Sequence, residues 1–408
     1  MKKEISIDAP IFIPKLSQTE SAFLNNVKVS TVIMDAHIVA WRPKIANKIK
    51  KSVDNFIIDP VTNYFVGKSY KEKASFQKLN TAPSKPYKID DLLTNEYLRK
   101  EEMVWLNIKN QIDEGSSVII IPYIYTDSID DTRFGINLSM ISDAIKLIKE
   151  KNIKIPLYAM INMGSETLKD YSKLDYIVNR YYEDFKKNIS GFFLMFDQLD
   201  CRKANEDSLM GLAYLTFNLS NNKKVFNLKI DDFGEVLSVI SAGGYSSGLA
   251  QGESFSAKSL SEKSFAIGRR HKEITYVPEL FNYLNDEELR KMKYSCNCSI
   301  CKNGLPDGYN PTKAHFLEKK LERMKILNTI TQGKRTNFLI LKIVEAIKSS
   351  KEYNDKYLLS IKYDFLYKWK NVLEKSKNWT YSDKIKDEVD LDHLIEEAKD
   401  RISKEQNE

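Results

Sequence analysis

The sequence predicts an α/β fold, a (β/α)8 TIM-like barrel followed by a metal-binding loop and a C-terminal helical appendage. Three observations predict it. Eight short apolar, β-branched runs recur over the first 280 positions. Most are followed by helical periodicity rather than by a tight hairpin turn, as in parallel strands joined by crossover helices. From residue 316 onward the periodicity is helical throughout.

The strands are expected at 31–36, 56–59, 118–123, 155–161, 192–197, 225–230, 244–249 and 274–277. Their short, nearly continuous apolar character suits parallel strands covered on both faces. Between them, 136–150, 165–188, 206–220 and 232–242 carry apolar residues three and four positions apart, so each helix presents one apolar stripe to a sheet. An open doubly wound sheet produces the same alternation, and the count of eight favours the barrel. The stretch 66–110 contains Pro83 and Pro86 and is long for a connection; it reads as an insertion with one helix near 97–111. Further helices are expected at 316–330, 337–349 and 356–374, and the charged stretch 384–408 reads as a solvated terminal helix. The expected organisation is a barrel over 1–294 with its insertion at 66–110, a zinc-binding loop over 295–315 and a helical appendage over 316–408.

The zinc expectation comes from cysteine spacing. Three of four cysteines, Cys296, Cys298 and Cys301, lie within six residues. That is too dense for an ordinary disulfide framework and favours a metal in a reducing compartment. His315 follows after a loop containing Gly304, Pro306, Gly308 and Pro311, which can bring the chain back to supply a fourth ligand; His271 is the alternative. Three thiolates and an imidazole suit Zn2+ and leave no open position, so the role expected is structural.

Composition bounds the remaining classes. The 408 residues are 42% hydrophobic and 29% charged, which are globular values. No run approaches the ~20 apolar residues of a membrane span, and positions 1–14 lack a signal peptide's apolar core. A cytoplasmic protein with no membrane partner is expected. The 63 basic residues against 56 acidic ones give a net charge of +7, compatible with a polyanionic partner. Basic runs at 42–51 and 269–272, near Trp41 and Tyr276, can contact phosphates and stack bases, although solvated lysine-rich faces look the same. The absence of a Walker motif, a Rossmann fingerprint and a Gly-x-Ser-x-Gly elbow removes nucleotide hydrolysis and serine-esterase chemistry from consideration.

In parallel barrels chemistry sits at the C-terminal strand ends. Asp59 ends Phe56-Ile57-Ile58, and Asp197 ends Phe192-Phe193-Leu194-Met195-Phe196. Gly248-Leu249-Ala250-Gln251-Gly252-Glu253 follows the seventh run. Asp35 and His37 end the first run and are further rim candidates. Asp127, Asp130 and Asp131 read as an exposed acidic loop, and Asp200 with Arg202 as a surface pair. Gly243 to Gly248 is a weak candidate for holding a phosphate on backbone N–H groups.

The order of these features resembles the tRNA-guanine transglycosylase family, including its relatives that insert 7-deazaguanine bases into DNA. That family carries Asp-Ser-Gly-Gly-Phe-Gln, Phe-Asp-Glu-Cys, Gly-Gly-Leu-Ala-Val-Gly-Glu and a Cys-x-Cys-x-x-Cys zinc loop in this sequence order. The parallels are Asp59, Phe196-Asp197, Gly248 to Glu253 and Cys296 to Cys301. The resemblance implies a glycosyltransferase that exchanges a guanine of tRNA or DNA for a modified or free purine base, with a structural Zn2+. It places a catalytic acid or base at Asp59 and substrate contacts at Asp197, Gly248, Gln251 and Glu253. Where the family has its nucleophilic aspartate, this chain reads Thr275-Tyr276-Val277-Pro278-Glu279-Leu280-Phe281, which makes Glu279 the substitute. The alternative expectation is a catalytically silent zinc-containing barrel in a defence or modification system. It would bind nucleic acid, or a protein partner through the C-terminal helices.

Overall fold

The computed structural model describes residues 10–17, 24, 27–249, 253–261, 274–306 and 308–379. Eight strands run in one direction: β1 (Ile11–Pro14), β2 (Thr31–Asp35), β3 (Asn55–Asp59), β4 (Ile119–Ile120), β5 (Leu157–Gly164), β6 (Gly191–Asp197), β7 (Lys224–Leu228) and β8 (Gly244–Ser247). Six form a curled parallel sheet in the order β1-β8-β7-β6-β5-β4, while β2 and β3 form a parallel pair. Hydrogen bonds tie that pair to both edges of the six. The Leu16 amide donates to the Ile33 carbonyl at 2.9 Å, and the Ser117 amide to the Phe56 carbonyl at 2.7 Å.

Alternation along the strands makes two apolar layers, because successive side chains point to opposite faces. Ile13, Ile33, Ile57, Ile120, Met160, Phe193 and Phe226 converge from seven strands into one cluster. Their neighbours Val32, Ile58, Ile119, Ala159, Leu194 and Val225 belong to the larger core that the helices cover. The architecture is therefore α/β and barrel-like. Gly244 is required by strand contact, since a Cβ there would lie 2.2 Å from the Ile11 carbonyl oxygen.

The structure corrects several expected elements. Segment 274–277 is not the eighth parallel strand: Ile274–Val277, β9, pairs antiparallel with Asn282–Asn285, β10. The short turn between them contains Phe281 at φ +51°, enough for a hairpin and far too short for a crossover. The eighth parallel strand is β1, the four residues Ile11–Pro14 that follow Pro10. The expected strand at 118–123 shrinks to Ile119–Ile120, and the helix at 165–188 is broken into Ser165–Lys169, Tyr171–Val178 and Asn179–Glu183. The expected helix at 356–374 begins late. The preceding helix, Gln332–Tyr357, ends at Leu358 in the left-handed conformation (φ +52°), and Asp364–Ser376 follows. The stretch 384–408 lies outside the described residues.

The helices after Gly308 pack onto the strand-and-helix body. Trp369 is fully buried, and its indole N–H donates to the Cys201 carbonyl at 3.1 Å. Among the described residues no helix is long and apolar enough to cross a membrane.

Candidate functional site

The cysteine loop is folded tightly by its own backbone. The Cys296 amide donates to the Gly304 carbonyl, the Asn303 amide to the Cys296 carbonyl and the Lys302 amide to the Cys298 carbonyl, each at 3.0 Å. Left-handed Lys302 and Asn303 complete the reversal. The helix Tyr309–Thr329 then brings His315 in, completely buried. Its Nδ1 lies 3.4 Å from Cys298 Sγ and 3.2 Å from Cys301 Sγ, and the four ligand atoms all fall within 4.8 Å of one another. These residues are close enough to bind a metal ion. His315 Nε2 lies 2.8 Å from the Tyr276 carbonyl; a proton on Nε2 leaves the Nδ1 lone pair facing the sulfurs, the arrangement found in metal-bound imidazoles. Burial, together with neighbouring sulfur, pushes the Cys301 thiol well above its usual range, a cost that a divalent cation reverses.

A second constellation lies at the C-terminal ends of the parallel strands. Lys15, just past β1, is ion-paired to Asp35 at the end of β2 (2.5 Å) and to Asp59 at the end of β3 (3.2 Å). Asp59, almost wholly buried, also accepts from the Val61 amide at 3.0 Å and the Tyr123 hydroxyl at 2.9 Å. These residues border a cavity of about 130 Å³ together with Lys229, just past β7, and Ser254, Phe255 and Ser256. Burial opposes charge on Lys15, but Asp35 and Asp59 more than compensate and hold its pKa above normal. Burial would raise Asp35; Lys15, His37 and Lys229 draw it below the usual carboxylate value. His37, stacked on Phe76 at 4.2 Å, is pushed down to about 4 by burial.

Of the residues singled out in the sequence, Asp35 and Asp59 border this cavity. Asp197 accepts from the Ala257 amide at 2.6 Å and so anchors the segment beyond the cavity wall. Gly248 accepts from its neighbour Ser247. Glu279 sits exposed in the turn after β9, 3.5 Å from the Tyr294 hydroxyl and beside the cysteine loop. Gln251 and His271 lie outside the described residues. Glu253 belongs to a buried ionic network: Arg202 donates to it at 2.9 Å and Tyr283 at 2.6 Å, while Arg202 also reaches Asp232 at 3.0 Å. Arg202 is thus not a surface partner of Asp200, whose side chain pairs with Lys203 instead. Asp232 further accepts from the Tyr276 hydroxyl at 2.9 Å and is ion-paired to Lys320.

Sequence reasoning missed Lys15, Tyr123 and Lys229. Lys15 was hidden because its strand was hidden. Lys229 left a visible signal, a lone charge inside the apolar run Val225 to Ile230. No family model matches the sequence, and no curated protein matches it either.

Proposed function

We propose that the eight parallel strands close into a (β/α)8 barrel and that Cys296, Cys298, Cys301 and His315 hold a structural Zn2+. On this reading the protein is a cytoplasmic base-exchange enzyme of the guanine transglycosylase type, acting on tRNA or DNA with a free or modified purine as co-substrate. The observation that carries it is the carboxylate pair Asp35 and Asp59 on adjacent strand ends, cross-linked by Lys15 beside a cavity. Exchange at a glycosidic carbon passes through a centre with oxocarbenium character, which a carboxylate can attack or stabilise. Asp59 is engaged by Val61, Tyr123 and Lys15 and acts as the positioning group. Asp35, ion-paired among the described residues to Lys15 alone, is the carboxylate available to a sugar carbon. Glu279 stands beside the cysteine loop and takes no part. Zinc, with four protein ligands, supplies rigidity rather than a reactive water.

The test is release of labelled guanine from tRNA or DNA in the presence of a 7-deazaguanine. Asp35→Asn and Asp59→Asn should each reduce exchange by roughly a hundredfold or more, in the range of a lost acid–base or nucleophilic group. Turnover equal to that of the parent protein would refute the assignment. The small cavity favours a second reading, because about 130 Å³ lies below the usual ~300–1,000 Å³ of ligand pockets. In that reading the barrel is catalytically silent and binds a polynucleotide or protein partner. Binding without base release, unaffected by either substitution, would select it.

A further inference from the structure

We infer that Lys229 is an amine nucleophile that forms an imine with a small aldehyde or ketone entering the strand-end cavity. The inference does not depend on base exchange; it rests on the placement of this one side chain. Lys229 follows β7 directly and adopts the left-handed conformation at φ +56°. That conformation is unfavourable for a non-glycine residue, and such strain concentrates at functional sites. Strand-like pairing resumes at once, with the Ile230 amide donating to the Ser246 carbonyl at 3.2 Å. The kink therefore reorients a single residue, and Lys229 borders the cavity.

Two lysines share that space and they differ. Lys15 takes both carboxylates, Asp35 at 2.5 Å and Asp59 at 3.2 Å. Among the described residues no hydrogen bond or ion pair holds the Lys229 amine, although Asp35 and Asp59 are near enough to act on it through space. Tyr64 and Tyr123 complete the polar surroundings. Burial, then the neighbouring charge of Lys15, lowers Lys229 to about 8 against the favourable pull of Asp35 and Asp59. A desolvated lysine beside a second cation is the usual way of obtaining a neutral amine near neutral pH.

The chemistry balances without a further reactant. The Nζ lone pair attacks the carbonyl carbon, the C–O π pair moves to oxygen, and one proton passes from nitrogen to that oxygen. A second proton, from solvent, lets the hydroxyl leave as water while the nitrogen lone pair closes the C=N bond. The product is a protonated imine. Asp35, beside the cavity and carrying negative charge, is placed to stabilise it.

The experiment treats the full chain at pH 7 with limiting glycolaldehyde and sodium cyanoborohydride, which reduces the imine to a stable secondary amine, followed by peptide mapping. Lowering a lysine from 10.5 to about 8 increases its neutral fraction at pH 7 roughly three-hundredfold. Lys229 should therefore be labelled ahead of the exposed lysines, with a rate rising about a midpoint near pH 8. Label spread over surface lysines without enrichment at Lys229, or a Lys229 midpoint at the ordinary lysine value, overturns the inference. Mapping is done on the unsubstituted protein, so the result does not depend on a variant folding. Lys229→Met, with its circular dichroism compared, then serves as the blank.

Discussion

The buried ionic network between the parallel strands and the helix Tyr309–Thr329 makes an asymmetric prediction. Lys320 and Asp232 are both fully buried and ion-paired. Replacing Asp232 by Asn strands Lys320 and removes one partner of Arg202, which keeps Glu253 at 2.9 Å. Removing one partner of a buried pair costs about 3–5 kcal/mol because the other charge is left uncompensated. Replacing Lys320 by Met strands nothing, since Asp232 keeps Arg202 at 3.0 Å and the Tyr276 hydroxyl at 2.9 Å. Methionine also suits the space between Tyr245, Tyr276 and Phe316, and the expected cost of Lys320→Met is about 1 kcal/mol or less. An unfolding entropy of ~2.1 cal/mol/K per residue over 408 residues makes 3–5 kcal/mol a Tm decrease of roughly 3–6 °C, against about 1 °C for Lys320→Met. Calorimetry of the two variants side by side measures the difference. A Lys320→Met protein as unstable as Asp232→Asn, or more so, would refute the assignment of Asp232 as the shared anion.

With Zn2+ bound as proposed, a chelator, or His315→Ala, should lower Tm substantially and expose Cys296, Cys298 and Cys301 to a thiol reagent, because structural zinc sites contribute folding energy outright; thiols equally reactive before and after chelation would refute the four-ligand assignment. Gly234→Ala should destabilise by about 1–3 kcal/mol through overpacking, since its Cβ would lie 2.2 Å from Tyr245 Cγ; an unchanged Tm would show that the ring has room to move. The stability associated with neutral His37 is fully present above the ordinary value of 6.5 and is lost as pH falls toward about 4, because the unfolded chain then binds a proton that the folded one does not. His37→Gln should flatten that part of the pH–stability curve, and parallel curves for the two proteins would count against a buried neutral imidazole.

How much of this was legible in the sequence depended on the range of the interactions involved. The cysteine loop and His315 could be read because their chemistry is local and their residue types are rare. The apolar runs of β2, β3, β5, β6 and β7 were legible because burial on both faces demands continuous apolar sequence. β1 was not, as four residues that follow one proline and end in another carry almost no periodic signal. The hairpin formed by β9 and β10 was mistaken for a barrel strand because Ile274 to Val277 is apolar in either setting, and only the short turn after it distinguishes them. Asp59 was found by its place at a strand end, whereas its partner Lys15 is 44 positions away and paired only by the fold.

Glu253 shows how the same residue can look like substrate chemistry in sequence and serve architecture in space. His315 lies against the Tyr276 carbonyl, the Tyr276 hydroxyl donates to Asp232, Asp232 accepts from Arg202, and Arg202 donates to Glu253. Ser254, Phe255 and Ser256, the residues immediately following Glu253, border the strand-end cavity. A carboxylate held by both Arg202 at 2.9 Å and Tyr283 at 2.6 Å cannot turn to a ligand without breaking both hydrogen bonds. Its effect on the cavity therefore runs through the backbone it anchors. The four residues that could hold a metal ion and the wall of the strand-end cavity are thus joined by one series of polar contacts, so a change in the cysteine loop would reach the cavity through them.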